Sequence, residues 1–302
     1  MLRTKFQATP VVALILAALL YAFAAPAGAQ GPPAPAPVTV KPLNGNVYWT
    51  QGGAGSNTGF IVGTNGVFVV DAKQTADSGK ETLAAIAKVT PKPVTDVIIT
   101  HSDGDHVNGL AAFPTGLTII AQENCKKEME ASLNNPQGAA PRDYMPTKTV
   151  DKKESLTIDG VQVTLLHWAP AHTSGDLVVF LPAQKIVFTG DIVAAQMPYP
   201  FIHLEKNGTS LGWIETMKGI LALDADSFVP GHGDLQTRAD LQKRLADAEA
   251  RRAKIQELVT QGKTLDEVKQ ALGEAPPPAA ASGRGPRFAS FTDVVYQELT
   301  KH

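Results

Sequence analysis

Apolar positions along the chain follow two alternating rhythms. Val47 to Gln51, Gly59 to Val62 and Val67 to Asp71 carry the β-branched and aromatic residues of strands, broken by the turn signals Gly52-Gly53 and Asn65-Gly66. A helix is predicted from Ser78 to Val89, then a strand through Val97-Ile98-Ile99 that leads to His101. A helix from near Asn108, a short strand from Leu117 to Ala121 and a helix from Glu123 to Leu133 come next. In the second half, Val161 to Leu166, Leu177 to Leu181 and Ile186 to Phe188 read as strands, and a helix from Leu211 to Leu223 precedes the strand Ser227 to Val229. Leu241, Leu245, Ala248, Ile255 and Leu258 recur at helical spacing, which predicts a long amphipathic helix covering a sheet. Thr264, with Glu267 three residues on, predicts a capped helix start. Strands first and alternation afterwards make this an α/β chain.

The two ends have another character. Arg3 and Lys5 precede an apolar run from Val11 to Ala25, and Ala27-Gly28-Ala29 supplies a small-x-small cleavage pattern, so residues 1–29 read as a secretory signal peptide. The run falls short of the roughly 20 apolar residues that a membrane-spanning helix needs. Residues 30–37 form a Pro/Ala linker, 38–273 the main domain, and 274–302 a Pro/Ala/Gly-rich stretch with a short terminal helix. Cys125 is the only cysteine, which excludes an intramolecular disulfide. Export to a bacterial periplasm or beyond is the expected location. The formal net charge of −2 becomes about −4 once Arg3 and Lys5 leave with the leader, and no basic cluster stands out, which argues against nucleic acid as a partner. A small-molecule substrate is expected, and the oligomeric state is left open.

The candidate chemistry lies in Thr100-His101-Ser102-Asp103-Gly104-Asp105-His106, directly behind an apolar strand whose end fixes side-chain positions. Two imidazoles and two carboxylates in one tight loop suit divalent cations, with His172, Asp191 and His232 arriving from other strand ends to complete the shells. The duller reading is a solvated turn, since Asp and Gly favour turns. Asp191, behind an apolar strand, is costly to bury unless ligated or hydrogen-bonded. Asp71, ending Phe68-Val69-Val70, is a candidate for orienting a ligand histidine, with helix capping as the alternative. His167 reads as packing beside Trp168. His203, in Pro198-Tyr199-Pro200-Phe201-Ile202-His203, belongs either to a wall of the substrate cleft or to a loop packed on itself. Cys125 reads as an ordinary helix residue, and His302 as the terminus.

The loop resembles the His-x-His-x-Asp-His loop of the metallo-β-lactamase superfamily. Ala171-His172-Thr173-Ser174-Gly175-Asp176, Phe188-Thr189-Gly190-Asp191 and Pro230-Gly231-His232-Gly233 resemble that family's later motifs in the same order, over roughly Asn46 to Gln261. The resemblance implies a four-layer αββα sandwich of two mixed sheets flanked by helices. It also implies two divalent metal ions, with His101, position 103 and His172 on one, Asp105, His106 and His232 on the other, and Asp191 bridging. The implied reaction is attack by a metal-bound hydroxide, oriented by Asp105, on an ester, thioester, lactone or related bond. Asp191 and the missing zinc-binding cysteine count against β-lactams as the main substrate and the expected periplasmic location counts for them, so β-lactamase activity stands as an alternative. Asp103 departs from the pattern, replacing a neutral nitrogen donor with an anionic oxygen. Zinc is the first expectation, but the added carboxylate opens the site to iron or manganese, to iron-dependent oxidoreductase chemistry, to a single-metal site, or to a non-catalytic metal-binding protein.

Overall fold

The computed structural model describes residues 35–133, 142–274 and 289–301. The leader read at 1–29, residues 30–34 of the linker, the segment 275–288 and His302 lie outside the described residues. Seven strands form a first sheet in sequence order: β1 (Thr39–Pro42), β2 (Val47–Gln51), β3 (Thr58–Val62), β4 (Val67–Val70), β5 (Val94–Ile98), β6 (Thr118–Gln122) and β7 (Lys148–Val150). Neighbours run antiparallel from β1 to β4 and parallel from β4 to β7. The second sheet contains β8 (Lys153–Ile158), β9 (Val161–Leu166), β10 (Val178–Leu181), β11 (Ile186–Ala194) and β12 (Ser227–His232). It runs in the order β12-β11-β10-β9-β8, and only its β11–β12 pair is parallel.

Helices cover both outer faces. α1 (Ala76–Val89), α2 (Gly104–Val107) and α3 (Glu123–Ser132) lie with the first sheet, and α4 (Ser210–Ala222), α5 (Arg238–Thr260), α6 (Leu265–Ala271) and α7 (Phe291–Thr300) with the second. The strands show why four layers form. In β4, Phe68 and Val70 point into the space between the sheets while Val67 and Val69 point at the helices. In β10, Val179 and Leu181 face inward and Val178 and Phe180 outward. With side chains alternating across each strand, an unbroken apolar run can be buried only if both faces are covered. The inner core joins Trp49, Phe68, Ile98 and Ile120 of one sheet to Leu165, Val179, Phe188 and Val229 of the other. The αββα arrangement is therefore realised.

Several boundaries differ from the sequence reading. The strand leading to His101 starts earlier, at Val94, and ends at Ile98. The helix expected from Asn108 begins as α2 at Gly104 and continues as a 3-10 turn over Asn108–Ala112, so Asp105 and His106 stand on helical backbone. β11 continues past Phe188 to Ala194 and β12 past Val229 to His232, which places Asp191 and His232 within strands instead of behind them. Gly190 makes this possible. Its φ of +52° introduces an irregularity in the β11–β12 register, and a Cβ there would lie 2.6 Å from Thr100 Oγ1. The capping box at Thr264 and Glu267 is present. Two stretches read as tails make specific contacts: Gly53 N donates to Ala36 O at 2.6 Å, and Glu274 pairs with Arg251.

Candidate metal centre

The parallel strands β4 and β5 end side by side, and the residues just beyond their ends are locked to one another. Asp71 adopts left-handed backbone (φ +61°) and its carboxylate turns back across the gap. Oδ1 accepts the Thr100 backbone N–H at 2.8 Å, and Oδ2 accepts Thr100 Oγ1 at 2.7 Å and His106 Nδ1 at 2.8 Å. This fixes the His106 ring with Nε2 facing the cleft, as sequence reasoning expected of a residue that orients a ligand. Leu177 N donates to Thr100 O at 2.7 Å, tying the loop to the second sheet. Asp176 holds the next segment, accepting both the backbone N–H and the hydroxyl of Thr173. His172 is thereby set with Nδ1 against Phe201 O at 2.8 Å. At the end of β12, Asn57 Nδ2 donates to Pro230 O and Gly233 O, both at 2.9 Å, and steadies the turn that carries His232. Gly231 is required there by space, because a Cβ would lie 1.9 Å from Asp191 Oδ1.

All seven residues singled out from the sequence meet at this end of the sandwich. Asp105, His106 and His232 form one group whose donor atoms lie within 4.8 Å of one another, and His101, His172 and Asp191 form a second. Asp191 lies between them: Oδ1 is 3.3 Å from His106 Nε2 and Oδ2 is 3.5 Å from His232 Nε2. His232 Nε2 is also 3.0 Å from Asp105 Oδ2. Asp103 belongs to a third group, with His172 and His203. His167 takes no part, its Nδ1 being 2.8 Å from Asp176 O. Cys125 is fully buried in α3, and burial, reinforced by Glu128, pushes its thiol well above the ordinary range, so it is no nucleophile.

Two neighbours of Asp103 were not assigned to the centre from the sequence. Lys206 places Nζ on Asp103 Oδ1 and donates to Ser102 Oγ at 2.8 Å. His203 brings Nε2 to 3.0 Å from Asp103 Oδ2. Lys206 bears on the charge argument, since its ammonium partly offsets the carboxylate that Asp103 adds. A lysine in a polar loop gives no signal of this, as only the fold brings together two residues 103 positions apart.

Three atoms test whether divalent ions fit. His101 Nε2, His106 Nε2 and Asp191 Oδ1 are buried and have no hydrogen-bond partner. Buried polar atoms are rarely left so, because each costs about 1–3 kcal/mol, and donors left over in two adjoining groups that share Asp191 as their neighbour match what cations would need. Electrostatics point the same way. Burial alone would raise the Asp191 carboxyl, but His106, His101 and His172 hold it well below the usual range. Burial likewise opposes charge on His172, yet Asp103, Asp191 and Asp176 lift its pKa to about 9. The cavity thus favours positive charge at its floor. Above it opens a cleft of about 700 Å³, lined by Gln74, Asn108, Ala194, Gln196, Met197 and Phe201 besides the centre itself.

Comparisons with known proteins bear on the fold and the family. Among curated relatives, the chain is 27% identical to the 2,4-dinitroanisole O-demethylase subunit alpha of Nocardioides sp. (strain JS1661), over 65% of this chain and 57% of that one. It is 24% identical to the linear primary-alkylsulfatase of Pseudomonas sp. (strain ATCC 19151), over 57% and 40%. The chain thus spans about half the length of these relatives. The inverting sec-alkylsulfatase Pisa1 of Pseudomonas sp. shares the fold with a TM-score of 0.69 at 15% identity, over 87% of this chain and 50% of that one. The pattern of the metallo-beta-lactamase superfamily matches residues 52–232, which hold every member of the three ligand groups, and it is to this superfamily that the chain belongs.

Proposed function

We propose that the protein is a metal-dependent hydrolase of esters, thioesters, lactones or related bonds. The observation that carries this reading is that buried donor atoms of His101, His106 and Asp191 lack hydrogen-bond partners within two neighbouring donor groups, beside an open cleft lined by Asp103, Asp105, Asp191 and His232. Divalent ions, when bound, supply Lewis acidity and make water acidic enough to react near neutral pH. The chain's own groups do the rest. Asp191 holds the His106 and His232 side at a fixed distance from the His101 and His172 side. Asp105, 31% exposed in its side chain, reaches the cleft and accepts a hydrogen bond from the attacking water, which sets its direction. Met197 and Phe201 give the substrate an apolar wall, and Asn108 and Gln74 offer polar groups to its other end. A relative named for alkyl sulfates fits ester-like substrates, and relatives of similar identity named as type 2 metallo-beta-lactamases keep β-lactams as an alternative. Zinc is the first choice of metal, and the oxygen donor at Asp103 makes iron or manganese the alternatives.

Protein purified without added metal should contain divalent ions and hydrolyse a chromogenic ester. A chelator should abolish turnover and the same metal should restore it. Metal-free protein, or loaded protein inert toward a panel of esters, thioesters and lactones, overturns the reading. An iron-dependent oxidoreductase is the second reading, resting on the Asp103 carboxylate, and it requires bound iron and oxygen uptake. Export belongs to the proposal too, supported by the basic and apolar pattern before Gln30, while no helix among the described residues is long and apolar enough to cross a membrane. The mass of protein secreted from the full gene should correspond to a start near Gln30, and an intact leader refutes this.

A further inference from the structure

Accepting the metal-dependent reading, we infer that His203 is a nitrogen ligand of the first metal position, replacing from a distant loop the imidazole that Asp103 removes. Three observations carry this. The first is direction. His203 Nε2 lies 3.0 Å from Asp103 Oδ2, the same oxygen that faces His172 Nε2 at 3.2 Å and His101 Nε2 at 3.5 Å. Lys206 occupies the other oxygen, so Oδ2 is the one turned to the centre. The donor atoms of Asp103, His172 and His203 all lie within 4.8 Å of one another, close enough to share one ion.

The second observation is how the ring is held. A metal-bound histidine almost always gives its second ring nitrogen to a carboxylate or backbone carbonyl, which fixes tautomer and orientation. His106 does so with Asp71, and His172 with Phe201 O. His203 does so with Glu205, its Nδ1 against the carboxylate Oε1. A histidine that only lined a cleft would not need its far nitrogen anchored and its near nitrogen aimed inward.

The third is the backbone. His203 N donates to His172 O at 2.8 Å while Phe201 O receives the His172 ring, so the two histidines are mounted on one pair of facing segments. His203 is 6% exposed. Rigid mounting of this kind is what a coordination site requires and a mobile substrate wall does not. The first position then has imidazoles from His101, His172 and His203 around one carboxylate oxygen, a nitrogen-rich shell despite the change at position 103.

The test uses the full protein, stripped of metal and titrated with Co²⁺. His203→Ala should weaken binding at the first position by at least about 100-fold, more than loss of an outer hydrogen bond causes. Fully loaded His203→Ala should show one hyperfine-shifted imidazole N–H proton fewer by NMR than the wild type. Asp103→His introduced into His203→Ala should return the lost affinity, and the circular dichroism of metal-free His203→Ala should match that of the wild type. If His203→Ala binds Co²⁺ as the wild type does and keeps every shifted N–H resonance, His203 is no ligand and the inference falls, with the hydrolase reading intact. A wild-type protein that takes up no Co²⁺ removes the hydrolase reading itself.

Discussion

Asp71 shows how a residue outside the donor set governs it. Its carboxylate receives three hydrogen bonds from Thr100 and His106, and its backbone occupies a left-handed conformation that Asn tolerates nearly as well. Asp71→Asn therefore tests charge and hydrogen bonding with little backbone strain. Metal affinity at the His106 position should drop about 10–100-fold, while the metal-free protein should lose about 1–3 kcal/mol of stability. Titration with Zn²⁺ and urea unfolding measure the two, and unchanged affinity would show that His106 needs no orienting group. Asp71 is legible in the sequence because a carboxylate ending an apolar strand demands partners. His203 is legible only as an aromatic-loop histidine, since nothing local marks it as aimed at a loop a hundred residues away. Lys206 is not legible at all.

At the scale of elements, legibility tracks burial. β4, β10 and the Ile186–Phe188 start of β11 read clearly because both faces are covered and these segments are continuously apolar. β1, β7 and β8 escape the sequence reading. They are short or at sheet edges, and the Lys153–Ile158 strand alternates mostly exposed and half-buried polar residues. Lys73 also escapes it, although it organises the connection between β2 and β3. The side chain is fully buried, and Nζ donates to Gly52 O at 2.8 Å and Ser56 O at 2.6 Å, while Ser56 N holds Asp105 O at 3.1 Å. Burial lowers its pKa from 10.5 to about 8 against the opposing pull of Glu81 and Asp71. Between those values the unfolded chain holds more protons than the folded one. The cost of burying the charge is thus fully present below pH 8 and is relieved as pH rises toward 10.5. Measured by urea unfolding, wild type should gain stability over Lys73→Met on going from about pH 8 to pH 10. A pH-independent gap would show that Lys73 keeps its ordinary pKa.

For the whole molecule, the centre is a clamp between the two sheets. His101, Asp103, Asp105 and His106 come after β5 of the first sheet, whereas His172, Asp191 and His232 come from the second. No ion can hold this set in the unfolded chain with comparable geometry, so binding must appear as global stability. With free metal at about 100 times Kd the gain is about 2.7 kcal/mol per site. In a domain of this size each kcal/mol raises Tm by about 2–4 °C, so chelation should lower Tm by about 5–10 °C or more. Phe68→Ala separates this from core packing. Phe68 is fully buried between the sheets, its loss should cost about 3–5 kcal/mol, and distant effects add. Calorimetry should therefore show the same metal-dependent rise in the variant, starting from a lower metal-free Tm. A Tm indifferent to chelation in both proteins would mean that the two sheets hold their donors together without any ion between them.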